Sequence, residues 1–151
     1  DRQIVHAVDP LIHKYRTSFV HFSPADYPWV QFFNQPLETF EPTIKYDVVL
    51  ALNAINHVEQ LDICLDRLVA LTKPGGHLFL SVDAHRYRGL RYFFKILPAD
   101  ILHPHQYTLK QYQAMLHQRG LPDLQTQLLR QQGIFSYFLL AAQLPPVNGQ
   151  D

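Results

Sequence analysis

The chain has 151 residues, 47% of them hydrophobic, 13% aromatic and 17% charged, with 13 Lys and Arg balancing 13 Asp and Glu. Length and composition fit one soluble domain with a single core, and zero formal net charge without a basic block excludes binding nucleic acid or an anionic membrane mainly by counterion release. The lone cysteine, Cys64, excludes an intrachain disulfide framework and a multi-cysteine zinc site, and fits a reducing, cytoplasmic setting.

In chain order, Ile4 to Val8 is a β-branched run halted by Asp9-Pro10, which predicts a buried strand. Pro10 suits a first helical position, where a missing amide hydrogen costs nothing, so a short helix is expected over Leu11 to Arg16. A loop holding Pro24, Asp26 and Pro28 leads to a second strand, Trp29 to Phe33, broken by Asn34-Gln35-Pro36. Tyr46 to Leu52 is the clearest strand, a near-continuous apolar run of the kind that parallel sheets bury on both faces. Asn53 marks its end.

From Glu59 to Leu71 the apolar residues Ile63, Leu65, Leu68, Val69 and Leu71 fall mostly at helical spacing. Lys73-Pro74-Gly75-Gly76 stops that helix before a strand at His77 to Val82. Arg86 to Ile101 mixes aromatics with Arg and Lys and reads as an irregular, partly helical excursion. Thr108 then caps a helix running to Gln118, with Gly120 as its stop. Strands at Leu124 to Arg130 and Ile134 to Gln143 form an antiparallel hairpin through Gln131-Gln132-Gly133, and residues 145–151 read as a disordered tail. No apolar run approaches the roughly 20 residues of a membrane span, and the opening Asp1-Arg2-Gln3 is neither a signal peptide nor an initiator methionine, which suggests a cut chain.

This order of elements belongs to an α/β sheet, mostly parallel with a C-terminal antiparallel hairpin. Such sheets take ligands at the carboxyl ends of their strands, which directs attention to Asp9, Asn34 to Glu38, Asn53 to Val58 and Ser81 to His85.

Three blocks carry a family resemblance: Val5-His6-Ala7-Val8-Asp9-Pro10, then Tyr46-Asp47-Val48-Val49-Leu50-Ala51-Leu52-Asn53-Ala54-Ile55-Asn56-His57-Val58, then Leu71-Thr72-Lys73-Pro74-Gly75-Gly76-His77-Leu78. With His103-Pro104-His105-Gln106-Tyr107-Thr108 ahead of the late helix, the chain resembles the Rossmann-like S-adenosylmethionine-dependent methyltransferases, of the small-molecule, type 11-like kind. The resemblance implies a partial methyltransferase domain over residues 1–144, because the family's first strand and Gly-rich cofactor loop would precede residue 4 and the chain holds no Gly-x-Gly. It implies S-adenosylmethionine as cofactor and methyl transfer to a small-molecule acceptor. The alternative is a non-catalytic module of the same fold, with the open sheet edge inviting a homodimer.

For the cofactor, the resemblance implies Asp9 as the acceptor of both ribose hydroxyls, Pro36 and Leu37 beside the adenine, and Asn53 and Ala54 at the methionine end. The alternative for Asp9 is an acid at a helix start, and for Pro36-Leu37 a plain turn. His57 is the candidate general base, since an imidazole titrates near neutrality, with a structural role at the helix start as its alternative. Asn56 stands where the family often has Glu. Asp83, His85, His103 and His105 form the acceptor side, and no metal is expected. Tyr87, Tyr92, Phe93 and Phe94 line a pocket or pack a lid.

Overall fold

The computed structural model describes residues 3–18, 22–85, 107–132 and 135–146, which fall into two compact units, Asp1–Pro42 and Thr43–Asp151. Tyr87, Tyr92, Phe93, Phe94, His103, His105 and residues 147–151 lie outside the described residues.

In the first unit, β1 (Val5–Val8) pairs in parallel with β2 (Val30–Phe33), in the register Val5↔Val30 to Val8↔Phe33. Both strands are short because Pro10 and Pro36 follow them closely, and proline cannot donate to a ladder. The connection carries α1 (Ile12–Ser18) and a 3-10 turn at Pro24–Asp26, whose first amides are served by Ser23 Oγ accepting from Ala25 N at 3.3 Å. A second 3-10 turn, Leu37–Thr39, follows β2. Ile12 and Phe40 are the buried apolar residues of this unit, and Phe33 meets both Phe40 and His6 edge-on with ring centroids 4.9 Å apart. Phe22, Tyr27, Phe32 and Tyr15 form a second ring cluster on the connection side.

The second unit is a four-stranded sheet in the order β3-β4-β6-β5. Its strands are β3 (Tyr46–Ala51), β4 (Thr72–His85), β5 (Leu124–Gln132) and β6 (Phe135–Gln143). β3 runs parallel to β4, while β6 is antiparallel to both β4 and β5, giving a mixed sheet that carries the expected antiparallel pair at its C-terminal end. Alternation decides the faces. Val49, Ala51, Leu78, Leu80, Val82, Ala84, Leu140 and Ala142 are buried on one face, together with the helix residues Leu61, Cys64, Leu65, Leu68, Tyr112 and Leu116 of α2 (Leu61–Leu71) and α3 (Leu109–His117). The helices are tied to each other by Arg119, whose guanidinium meets Asp62 Oδ1 at 2.9 Å and Asp66 Oδ1 at 2.7 Å. α3 starts as expected at Thr108, whose amide and hydroxyl both donate to Gln111 Oε1 at 3.0 Å.

Three expectations need correction. The run that forms β1 is not buried, since Ile4 is 66% exposed and Val5 40%. β3 is not buried on both faces: Val48 is 51% exposed, Leu50 62% and the following Leu52 56%, because these alternate with buried Val49 and Ala51 and lie on the face opposite the one that α2 and α3 cover. Nor does the Lys-Pro-Gly-Gly block separate helix from strand; α2 ends at Leu71 and the block belongs to β4. Lys73 Nζ reaches both Asp47 carboxylate oxygens at 2.9 Å, Gly75 N donates to Leu144 O, and Gly76 O accepts from Leu144 N, so partners on β3 and after β6 hold the block as an irregular, bulged start of β4, where the register jumps from Tyr46↔Thr72 to Val48↔His77. Gly75 takes φ +75, the left-handed region that glycine enters without a Cβ penalty.

Candidate functional site at the strand ends

Asp9 directly follows β1, and its amide donates to Phe33 O at 3.1 Å, one step past the last pair of the β1-β2 ladder. Its Oδ1 accepts the Leu11 amide at 2.7 Å, the position of a side chain closing the start of a helix, while its Oδ2 accepts the Tyr15 hydroxyl at 2.9 Å. Burial and then this bond to Asp9 hold the Tyr15 phenol above its ordinary value. Closing a turn just ahead of α1, which starts at Ile12, is therefore one role of Asp9. It does not exhaust the group, because each carboxylate oxygen accepts more than one hydrogen bond and Asp9 is only half-buried. Tyr15 was not singled out by sequence; its hydroxyl reaches back past the start of α1 to Asp9, a relation visible only once α1 exists.

Past β2, Asn34 Oδ1 accepts the His13 amide at 3.3 Å and lies 2.7 Å from His13 Nδ1, linking the residues after β2 to α1. Pro36 precedes the 3-10 turn in extended conformation and is exposed, and Leu37 opens the turn half-buried. The turn closes through Phe40 N to Leu37 O at 3.1 Å and Thr39 Oγ1 to Pro36 O at 3.2 Å.

In the second unit the chain leaves β3 at Leu52 and turns at once. Asn53 has φ 52, left-handed for a non-glycine residue, and Asn tolerates that region better than most side chains. Its amide donates to Ser81 Oγ on β4 at 2.7 Å. Ala54 and His57 are exposed, and the turn between them closes through His57 N to Ala54 O at 3.0 Å. α2 begins only at Leu61 behind Gln60, so His57 stands ahead of the helix start and does not cap it.

Asn56 is the opposite of its exposed neighbours: 2% exposed, it donates from Nδ2 to the Asp83 carbonyl at 3.3 Å and accepts from the Tyr112 hydroxyl at 3.4 Å. Asp83, half-buried, lies two residues before the end of β4. Burial, with Tyr107 and the Asp83 charge nearby, pushes the Tyr112 phenol far above its ordinary value. The turn of residues 53–57 is thus tied to the end of β4 through Asn53 N on Ser81 and Asn56 on the Asp83 carbonyl. Tyr112 is the addition that sequence reasoning missed. His85 ends β4, and His103 and His105 lie outside the described residues.

A family model described as a methyltransferase domain matches residues 4–78. Among solved structures, a candidate methyltransferase of Bacillus halodurans C-125 superposes with a TM-score of 0.71 at 14% identity, over 95% of this chain and 84% of that one. The N-methyltransferase NodS of Bradyrhizobium japonicum WM9, in complex with S-adenosyl-L-homocysteine, gives 0.65 at 13% identity, over 94% and 67%. Magnesium protoporphyrin IX methyltransferase of Synechocystis PCC 6803, with bound S-adenosylhomocysteine, gives 0.61 at 19%, over 93% and 64%. No curated protein matches by sequence. Among the described residues no helix is long and apolar enough to cross a membrane.

Proposed function

We propose that this chain, which resembles the methyltransferase domain family through residues 4–78 and has the Rossmann-like methyltransferase fold, serves S-adenosylmethionine-dependent methyl transfer to a small-molecule acceptor. The observation that supports this best is the position of Asp9: a half-buried carboxylate at the carboxyl end of a parallel strand, with both oxygens already fixed in direction by Leu11 N and Tyr15 OH.

Each unit by itself carries residues of the kind the cofactor needs. In the first unit, Asp9 keeps lone pairs for the two ribose hydroxyls, and Pro36 and half-buried Leu37 offer apolar surface to an adenine. In the second, exposed Asn53 and Ala54 supply a fixed turn for the methionine end, and Asp83, with His85 ending the same strand, belongs to the acceptor side, to which His103 and His105 are also assigned. When bound, S-adenosylmethionine supplies a methyl on sulfonium sulfur, open to displacement by an oxygen, nitrogen or carbon nucleophile.

The protein's part is mainly alignment, which converts a bimolecular displacement into one between held partners and needs few dedicated groups. An acceptor hydroxyl or amine must also lose its proton. Exposed His57, on the turn that Asn53 begins, is the base we assign to that step.

Calorimetric titration of the chain with S-adenosylhomocysteine tests the reading. Micromolar binding is expected, reduced at least about tenfold in Asp9→Ala, a loss of roughly 1.4 kcal/mol. Asp9→Asn, which keeps one oxygen for the Leu11 amide, separates loss of the ribose acceptor from loss of the helix start. Absence of binding by the folded wild-type chain would overturn the assignment.

A further inference from the structure

The turn after β3 is pegged to β4 at two positions on that strand, through Asn53 N to Ser81 Oγ at 2.7 Å and Asn56 Nδ2 to Asp83 O at 3.3 Å. A third tie comes from a different element, the Tyr112 hydroxyl of α3 donating to Asn56 Oδ1 at 3.4 Å. Asn56 is 2% exposed and Tyr112 fully buried. A carboxamide in such a place is costly unless both of its ends are served, and here the two ends are served by two different elements. Leucine would fill the same space without that cost, so the polar bridge contributes something that volume does not: it fixes the orientation of the turn's backbone. The two residues that the bridge flanks, Asn53 with its left-handed φ and His57 with its amide on Ala54 O, are those at the exposed mouth of the strand ends.

We propose that Asn56 and Tyr112 are positioning residues, which hold the turn of residues 53–57 in its ligand-ready shape by bridging the end of β4 to α3. The inference rests on the reading that Asn53 and Ala54 face the methionine end of the cofactor. It goes further in naming two buried groups that touch no ligand and yet set affinity. Without the Tyr112 donor, the Asn56 oxygen seeks another partner, and the turn that carries it shifts or opens.

Amide hydrogen exchange by NMR, paired with S-adenosylhomocysteine calorimetry on the full chain, tests this in Tyr112→Phe and Asn56→Leu. The amides of Asn53 and His57 are expected to exchange at least about tenfold faster in both variants, with the β6 amides unchanged, as for a local opening. The dissociation constant is expected to rise by about the same factor, because binding then has to restore the turn. Turn amides that exchange at the wild-type rate, or accelerate only in step with β6, overturn the proposal. So does faster exchange at unchanged affinity, which would leave the bridge a role in folding alone. Should wild type bind no S-adenosylhomocysteine, the cofactor assignment falls, and the exchange data by themselves decide whether the bridge positions the turn. If Asn56→Leu fails to fold, Tyr112→Phe, which removes one oxygen atom, carries the test.

Discussion

The Tyr15 hydroxyl donates to Asp9 Oδ2 at 2.9 Å while the other oxygen of the same carboxylate accepts the Leu11 amide at 2.7 Å, so one acid ties the middle of α1 and the residue just before it to the end of β1. Tyr15→Phe is expected to cost about 1 kcal/mol at neutral pH, the net value of one hydrogen bond. Because burial and Asp9 hold the phenol above 10.0, the unfolded chain releases this proton first as pH rises. The contribution is fully present below pH 10.0 and is lost as pH climbs from there through the folded-state value. Tyr46 and Tyr112 are raised too, so wild type keeps an alkaline slope from all three, and Tyr15→Phe removes its own share. Urea midpoints of both proteins from neutral to strongly alkaline pH check this; identical alkaline slopes would contradict it.

Leu80 and Leu50 test which face of the second sheet carries the core. Leu80 is buried under the helices, whereas Leu50, on the adjacent strand, is largely exposed. Leu80→Ala should cost about 2–5 kcal/mol, transfer and cavity together. Leu50→Ala should stay within about 0.5 kcal/mol. Chemical denaturation of the two variants reads the contrast, and comparable losses would mean that both faces are covered.

Arg119 joins α2 to the end of α3, with its side chain only 13% exposed and its guanidinium also donating to Met115 O at 2.9 Å and Asp62 O at 3.1 Å. Asp62 and Asp66 are mostly in water, so the ion pairs themselves contribute little, and the carbonyl bonds of a nearly buried fork contribute most. Arg119→Ala is expected to lower stability by about 1–2 kcal/mol. Arg119→Lys should recover less than half of that, because an ammonium cannot reproduce the fork. Raising salt should leave the wild-type to Ala difference nearly unchanged, and a difference that disappears in salt would return the effect to the carboxylates.

Much of this fold is written locally. The β-branched run ending at Asp9-Pro10, the apolar run from Tyr46 and the Thr108 start each announce an element to within a residue or two, because strand ends and helix caps depend on neighbours along the chain. The misreadings involve partners far away. An unbroken apolar run cannot tell which of its two faces is covered, so the exposure of Val48 and Leu50 had no signal in the sequence. Lys73-Pro74-Gly75-Gly76 looks like a stop until Asp47 and Leu144 arrive beside it. The same holds for the candidate site. Asp9 and Asn53 were legible as the residues that follow strands, while Tyr112, far along the chain from Asn56 and on an amphipathic helix, reads as ordinary core.

Gly75 and Gly76 are adjacent and should fail for different reasons. A Cβ on Gly76 would lie 2.9 Å from both Asp47 O and Lys73 O and 3.1 Å from Thr72 Cγ2. Two of these are backbone atoms, so β3 and the start of β4 must part to admit a methyl, and Gly76→Ala is expected to cost about 1–3 kcal/mol. A Cβ on Gly75 meets nothing within 4 Å, and its penalty comes from φ +75 alone, about 1–2 kcal/mol for Ala. Asparagine separates the two mechanisms, since it tolerates left-handed backbone but is larger than Ala. Gly75→Asn should be milder than Gly75→Ala, whereas Gly76→Asn should be at least as damaging as Gly76→Ala. Thermal unfolding of the four variants orders them, and a Gly76 series that Asn relieves would show that conformation, not the approach of Asp47, requires glycine there.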